Sequence, residues 1–295
     1  MPVDRVTYAD TRVYVNDILL TGVSECSIET TRDFEDLRSS KRYDVTDRIL
    51  KSNQVPKATI SWILGEKSTD PFFNFQKSGI LSVENFNIKK RDIVGTNEIK
   101  SGFLTSYSVE ASVGNTITAQ AQYEGTDYSF NSTNKLTAGV QTSDSYNAFI
   151  PSKINMSATF QEGNIFSFPV QSFQLSVSVP RTPLKRLGEM IPKYRIPTLP
   201  AEASVDFSVI KTDITGINFS KILLEKGNFS FLMSSCNNTQ KTYVLRDCSL
   251  VGISESLSED GSATIDFNYV STITGNSFSL SWFFINENFT INRAL

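Results

Sequence analysis

The stretch YSVEASVGNTITAQAQY, residues 107–123, decides the fold of this chain. Apolar residues alternate with polar ones from Tyr107 up to Gly114-Asn115, and they alternate again from Ile117 to Tyr123. Strict alternation is typical of a strand with one buried face and one wet face. Gly-Asn between two such runs is a signal for a tight turn. The stretch therefore predicts an antiparallel β-hairpin.

A second stretch, VGISESLSEDGSATIDFNY at residues 251–269, has the same plan around the turn residues Asp260-Gly261. From Gly114 to Gly261 the offset is 147 residues. Four further matches occur in the same order at offsets of 145 to 148: Ile18 with Ile165, Val23 with Val170, Ala58 with Ala203, and Gly79 with Gly227. Ordered matches at a nearly constant offset predict a tandem duplication. We expect one domain at 1–148 and a second at 149–295.

The predicted fold class is mainly β, with two tandem copies of an antiparallel β-sandwich or partial barrel. Each copy is expected to contain one short α-helix. The first helix begins at the N-cap Asp70 before Pro71 and ends before Gly79. The second is expected around 217–226, with Gly227 just past its end.

The composition excludes several classes of function. The chain has 295 residues, a formal net charge of −3 and no histidine. Without histidine, Ser-His-Asp and Cys-His nucleophiles and every His-containing metal site are excluded. Cys26, Cys236 and Cys248 form no CxxC pair, which argues against a zinc site. Catalysis by carboxylates, Lys or Tyr stays open, but we expect no enzyme, no metal and no cofactor.

Membrane and nucleic-acid functions are also disfavoured by the sequence. The first residues show no apolar run typical of a signal peptide, and no stretch approaches the ~20 apolar residues of a membrane helix. We therefore expect no membrane partner. The mildly acidic charge argues against binding DNA by neutralising its phosphates.

Two long segments connect predicted strands, at 31–55 in the first half and at 180–200 in the second. Both mix charged and apolar residues, and connections longer than about 12–15 residues are uncommon unless they are functional. One interpretation is an arm that docks on a neighbouring subunit. The other is a mobile, solvated surface loop. The candidate contact residues are Phe34, Leu37, Arg38, Arg42, Tyr43, Arg48, Leu184, Arg186, Leu187, Met190, Tyr194 and Arg195.

The order strand, long loop, strand, helix and closing hairpin resembles the tail tube family of bacteriophages and related injection machines. Residues 23–28, the charged loop and residues 56–62 look like the first three strands of that fold. Residues 173–179, the 180–200 loop and residues 203–209 look like the same unit again. The resemblance rests on topology and pattern, not on a short diagnostic motif.

The resemblance implies rings whose sheets close around a DNA channel, with the long loops holding adjacent rings together. Single-domain members form hexamers, so a two-domain chain implies a homotrimer with pseudo-sixfold symmetry. It implies no cofactor, a location in the virion tail after assembly in the host cytoplasm, and other tail proteins as partners: tape measure, baseplate or tail tip, and a sheath in contractile tails. DNA would pass without being held.

A polar, acidic lumen would repel phosphate and let DNA slide. The outward-alternating residues of the hairpins are the candidates for that lumen; an ordinary wet sheet face is the alternative. They are Ser108, Glu110, Ser112, Thr118, Gln120, Gln122, Asp266 and Asn268.

The leading functional hypothesis is a virion structural protein, the major tail tube subunit. A second hypothesis in the same superfamily is a tail hub or tube initiator at the baseplate. A third, from another class, is a two-domain β-sandwich that serves as a binding or adhesion module.

Overall fold

The computed structural model describes residues 11–38, 45–65, 86–136, 148–160, 165–184, 194–198, 200–211, 225–235, 240–257, 263–273 and 283–288, together with Arg186 and Pro192. Within these ranges the chain is almost entirely antiparallel β-strand, which confirms the mainly-β prediction. No helix in this part of the chain is long and apolar enough to cross a bilayer.

Eight strands belong to the first half of the chain. They are β1 (Arg12–Val15), β2 (Ile18–Leu20), β3 (Val23–Arg38), β4 (Val45–Ile63), β5 (Phe86–Arg91), β6 (Thr96–Ser112), β7 (Thr118–Glu124) and β8 (Asp127–Asn131).

Ten strands belong to the second half. They are β9 (Phe149–Phe160), β10 (Ile165–Phe168), β11 (Val170–Ser178), β12 (Arg181–Leu184), β13 (Tyr194–Pro197), β14 (Ala201–Ile210), β15 (Gly227–Ser235), β16 (Gln240–Leu257), β17 (Ala263–Ile273) and β18 (Phe283–Asn288).

Eight of these strands form what we call the central sheet, in the order β3-β4-β7-β6-β11-β14-β17-β16. Strands β6 and β16 are long and also reach a second layer. The first part of β6 pairs with β5 and β8, and the first part of β16 pairs with β15 and β18. Each half of the central sheet therefore has an outer sheet continuous with it.

The outer sheets pack on the central sheet as β-sandwiches. In the first half the Phe86 ring on β5 meets the Tyr123 ring on β7 at 5.6 Å between centroids. In the second half Phe231 on β15 stacks on Phe173 of β11 at 4.6 Å. The buried apolar residues of both halves form a single contiguous core, so face-to-face burial of aromatic side chains holds the layers together.

The strand pairings of the first half recur in the second. The pairs β1–β2, β1–β5, β3–β4, β4–β7, β5–β6, β6–β7 and β6–β8 have as counterparts β9–β10, β9–β15, β11–β14, β14–β17, β15–β16, β16–β17 and β16–β18.

Irregularities in the ladders recur as well. The register between β3 and β4 shifts at Ser24, and that between β11 and β14 shifts at Gln171, which is 147 residues later. The shift at Thr105 in β6 has its counterpart at Val251 in β16, 146 residues later. Bulges displace a strand by one residue and fix its register, so they mark corresponding positions more sharply than side-chain similarity does.

A backbone device in the two bent strands repeats too. Ser101 and Asp247, again 146 residues apart, both have positive φ, at 52° and 54°. The amide of Ser101 donates to the side-chain oxygen of Asn87 at 3.3 Å, and the amide of Asp247 donates to that of Asn228 at 3.0 Å. In both halves an asparagine supports the left-handed residue where the strand passes from outer to central sheet.

The register changes two of the sequence matches. The match of Ala58 with Ala203 is wrong by two residues. Ala58 pairs with Ile28 in the first half, and Leu175, the counterpart of Ile28, pairs with Val205 in the second. The counterpart of Ala58 is therefore Val205. Similarly, buried Phe168 occupies the position of Leu20, and this puts Ile18 level with Phe166 and not with Ile165. Alternating strands tolerate a two-residue slip in an alignment without any change of face.

The long segments differ from the loops that the sequence predicts. Residues 31–38 and 45–55 extend the β3–β4 hairpin, and residues 181–184 pair with 194–197 as β12–β13. Strand pairing satisfies backbone groups that an irregular loop of this length would leave exposed.

Three sequence predictions are not tested here. The first predicted helix, 70–79, lies outside the described residues, as does the second except for Glu225 and Lys226. The division into domains at 148 also stays a prediction, because β6 and β11 pair across that boundary within one sheet.

Candidate functional site

The solvent-facing side of the central sheet is polar from one edge to the other, and we call it the polar face. Its rows run across the strands: Gln120 of β7 lies opposite Ser61 and Ser108, and Ser108 lies opposite Ser176 of β11. The next row joins Glu110, Gln174, Asp206 and Asn268 in the same way. All eight candidate lumen residues lie on this face: Ser108, Glu110, Ser112, Thr118, Gln120, Gln122, Asp266 and Asn268.

The polar face arises from alternation in every strand. Tyr107, Val109 and Ala111 point into the core and are at most 5% exposed, which leaves the residues between them facing solvent. The same holds for Ala119 and Ala121 in β7. A sheet with one apolar side can bury only that side, so the second side is available for contact with something else.

Hydrogen bonds between neighbouring strands tie the polar side chains together. Thr118 donates to the Glu110 carboxylate at 3.0 Å, and the hydroxyls of Ser176 and Ser204 lie 2.7 Å apart. The Asn268 amide donates to the Asp206 carboxylate. These three pairs restrain six side chains of the polar face.

The polar face is also acidic. Seven carboxylates lie on its described part: Glu25, Glu29, Glu110, Glu124, Glu202, Asp206 and Asp266. Arg195 neutralises Glu124, which leaves six carboxylates against one cation, Lys57. A surface with this balance of charge repels phosphate.

Part of the polar face is concave. An open cleft of about 800 Å³ runs across β6, β7, β11, β14, β17 and β16. Glu110, Asp206, Asp266 and Asn268 line it, with Ser254 at the far side. Within the described ranges no group of three or more His, Cys, Asp or Glu residues is arranged to hold a metal ion.

The β12–β13 hairpin joins the second half of the chain to the first. Arg195 is 2% exposed; its guanidinium donates to the Glu124 carboxylate at 2.7 Å and to the Gly125 carbonyl at 3.1 Å. Arg181 donates to the Leu104 carbonyl at 2.9 Å and lies over the Phe103 ring at 5.5 Å. Both arginines are therefore contacts within the chain.

Burial shows in the pKa values of the two arginines. Burial and the neighbouring Arg195 lower the pKa of Arg181 to about 10. Burial also lowers the pKa of Arg195, and the Glu124 carboxylate partly opposes this. Two buried cations so close together are stable only when hydrogen-bonded to the Glu124 carboxylate and the carbonyls of the first half. These bonds hold the hairpin in place.

The other side of this hairpin is exposed and apolar. Leu184 and Tyr194 are cross-strand partners, and their exposed fractions are 47% and 46%. Ile196, two residues from Tyr194, is 46% exposed. We call these three residues the apolar patch. Three exposed apolar side chains on one side of a restrained hairpin form a candidate contact surface.

The candidate contact residues of the sequence therefore have different fates. Leu184 and Tyr194 belong to the apolar patch, and Arg186 is exposed. Placing Arg195 at an exposed contact is wrong, because it is buried against the first half. No feature of the sequence distinguishes it from Arg186; the pairing with Glu124 is a tertiary contact.

The remaining candidates are only partly described or not described. Phe34, Leu37 and Arg38 lie on β3 and Arg48 lies on β4, where the strand pairing alone is described. Arg42, Tyr43, Leu187 and Met190 lie outside the described residues.

Two strand edges belong to the site but were not found from the sequence. One side of β3 over residues 23–31, and one side of β16 over residues 249–257, have no strand partner in the described part of the chain. Alternation predicts a strand but does not say which strands lie at an edge.

No protein-family model matches this chain, and no curated protein matches it.

Proposed function

We propose that this chain is the repeating subunit of a bacteriophage tail tube, a virion structural protein without catalytic activity. Three copies form a pseudo-hexameric ring, and the rings stack into the channel through which DNA leaves the virion. The observation that supports this most is the acidic polar face, which crosses all eight strands of the central sheet and has an open cleft across six of them.

A channel for DNA needs a wall that does not bind the phosphate backbone. Carboxylates repel phosphate, and hydroxyl or amide side chains already bonded to each other offer it few donors. The polar face is acidic, several of its hydroxyl and amide side chains are bonded to neighbouring strands, and its open cleft suits the inside of a ring.

Stacking of rings needs a second contact surface. The apolar patch supplies one, since Leu184, Tyr194 and Ile196 project from a hairpin that the two buried arginines restrain. The partners are then further copies of this chain, and the other tail proteins at the ends of the tube.

Negative-stain electron microscopy of the purified protein tests the proposal. We expect long hollow tubes at high protein concentration. Discrete rings that never extend would favour the hub or initiator function. A particle that sediments as a monomer at every concentration would contradict the tube and favour a binding or adhesion module.

A further inference from the structure

The central sheet ends in two long edges that carry apolar side chains. On β16, Val251 is 68% exposed, Ile253 41% and Leu257 76%. On β3, Cys26 and Ile28 are half-buried. Exposed edge strands of this length pair readily with other strands, and proteins normally protect them. Residues 252–257 contain no proline, and their one charge, Glu255 on the core side, is paired with Lys211. At the β3 edge Lys90 Nζ donates to the Cys26 carbonyl at 3.1 Å, and that oxygen retains a second lone pair for a strand bond. Both edges therefore keep backbone groups available for pairing.

The chain already contains one example of this kind of junction. β6 pairs antiparallel with β11 across the boundary between the halves, from Ser106 with Ser178 to Ser112 with Ser172. Backbone bonds extend the junction at both ends: Val113 N–H donates to the Gln171 carbonyl, and Val179 N–H donates to the Thr105 carbonyl, at 2.9 and 2.8 Å.

The two free edges are the counterparts of this junction. β16 takes the place in the second half that β6 has in the first, and β3 takes the place of β11. The bulges that flank the β6–β11 junction, at Thr105 and Gln171, have their counterparts at Val251 and Ser24. The edge of β16 therefore has the same backbone shape as the edge that β11 accepts.

We propose that β16 of one copy pairs antiparallel with β3 of the next copy, in the register of the internal junction. Adding 146 to Glu110 gives Ser256, and subtracting 147 from Gln174 gives Ser27, so the pair Glu110 with Gln174 becomes Ser256 with Ser27. In the same way Ala111 with Phe173 becomes Leu257 with Cys26. This inference rests on the proposed function, for which it specifies the contact within a ring.

The proposed register keeps the two sides of the sheet matched. Ser27 and Ser256 both belong to the polar face, so this face continues from one copy to the next. On the opposite side Leu257 meets Cys26 and Ile253 meets Thr30, so these apolar edge residues are covered. Between them Glu255, which is paired with Lys211, meets Ile28. A shift by one residue would place apolar side chains on the polar face.

The geometry is head-to-tail and not two-fold. One copy contributes β16 and the other contributes β3, so each copy retains a free edge of each kind until a ring closes. Closure removes every edge of the central sheet, as in a barrel.

A pair of cysteines tests the register. The backbone hydrogen bonds of the internal junction are made by its odd-numbered residues. Glu110 and Gln174 therefore form a non-hydrogen-bonded pair, and the short distance between the Cα atoms of such a pair suits a disulfide. We expect Ser27→Cys with Ser256→Cys to give a ladder of chains linked by disulfides on non-reducing gels. The longest product should contain as many chains as the ring.

The linkage reports on different chains, because seven strand spacings of ~4.8 Å separate the two edges within one sheet. The matched control is Ser27→Cys with Ser254→Cys, which moves one thiol two residues along the same face and should not link. The single variants Ser27→Cys and Ser256→Cys show whether the native cysteines contribute to the disulfide linkage.

Microscopy of the same samples separates failure of this inference from failure of the proposed function. Rings or tubes without linkage, or stronger linkage in the control pair, would overturn the register while leaving the tube in place. If both the double-cysteine variant and the parent protein remain monomeric, the register and the proposed function are both overturned.

Discussion

At the scale of single residues, Gly125 lies where the two halves meet. A Cβ added at Gly125 would lie 2.2 Å from Cγ2 of the buried Ile99, and the Gly125 carbonyl accepts a bond from Arg195. The bend that follows β7 therefore leaves no room for a side chain, and the contact between hairpin and first half depends on it.

We predict that Gly125→Ala lowers the free energy of unfolding by about 1–3 kcal/mol, because Ile99 or the backbone must move. Urea unfolding of the unassembled protein measures this. Gly252→Ala is the matched control, since an added Cβ there has no neighbour within 4 Å. Equal effects of the two substitutions would contradict the packing argument.

The thiol of Cys26 gives a dependence on pH. Burial raises its pKa to about 11, with Lys90 opposing and Glu25 adding to the shift. A raised pKa favours the folded state fully below the pKa of the unfolded thiol, and this contribution is lost as the pH rises towards 11. We predict that wild type loses roughly 1–2 kcal/mol more than Cys26→Ala between pH 8 and pH 11. Parallel pH profiles in urea unfolding would contradict it.

At the scale of elements, the β12–β13 hairpin has two sides with different roles. Arg181 and Arg195 anchor one side to β6 and β7, while the apolar patch faces outwards. Deleting residues 182–197 would remove both roles at once and leave Glu124 without Arg195. Substitutions in the patch alone separate assembly from folding.

We predict that Leu184→Ser with Tyr194→Ser leaves the fold intact and abolishes long tubes, because the ring loses its exposed apolar contacts. Circular dichroism checks the fold, and electron microscopy checks the tubes. The matched control is Phe130→Ser on β8, an exposed aromatic residue of the outer sheet. Tubes of normal length from the double variant would remove the patch from the stacking contact.

The β3 edge allows a comparison between adjacent residues. In the internal junction the odd-numbered residues of β11 direct their N–H groups towards β6, and their counterparts on β3 are the even-numbered residues. The N–H of Thr30 therefore points away from β4, whereas that of Glu29 points towards β4. Proline removes an N–H and is tolerated at an edge when that N–H faces outwards.

We predict that Thr30→Pro remains folded but fails to form rings, whereas Glu29→Pro also lowers thermal stability because it breaks the β3–β4 ladder. Sedimentation gives the assembly state, and thermal melting gives the stability. Rings formed by Thr30→Pro would place the contact between copies elsewhere.

At the scale of the whole molecule, the acidic polar face is the property that an assembled tube would use. Eight strands contribute to it, so no single residue defines the channel. A charge reversal is nevertheless repeated in every copy of a tube, and this multiplies its effect on a polyanion.

We predict that tubes of Glu110→Lys retain linear duplex DNA at low salt and release it at high salt, while wild-type tubes retain none. Asp127→Lys on the outer sheet is the control, because Asp127 is exposed on the side away from the polar face. Filter retention of labelled DNA measures the difference. Equal retention by both variants would contradict a role of Glu110 in the channel.

The mainly-β fold was predictable because the alternation around Gly114-Asn115 is a local signal, and backbone geometry turns it directly into two faces. The structure confirms both strands and the burial of Tyr107, Val109 and Ala111. Val113, at 66% exposed, breaks the pattern because it belongs to the turn.

By itself, the sequence determined which residues face solvent, and thus that Glu110, Asp266 and Asn268 share a face with the other candidates. Only the tertiary structure decided which strands are neighbours: that β6 meets β11, that Arg195 lies under Glu124, and that β3 and β16 are edges. The physical reason is that facing is set by the two-residue repeat of a strand, whereas neighbours are set by long-range packing, which no local pattern encodes.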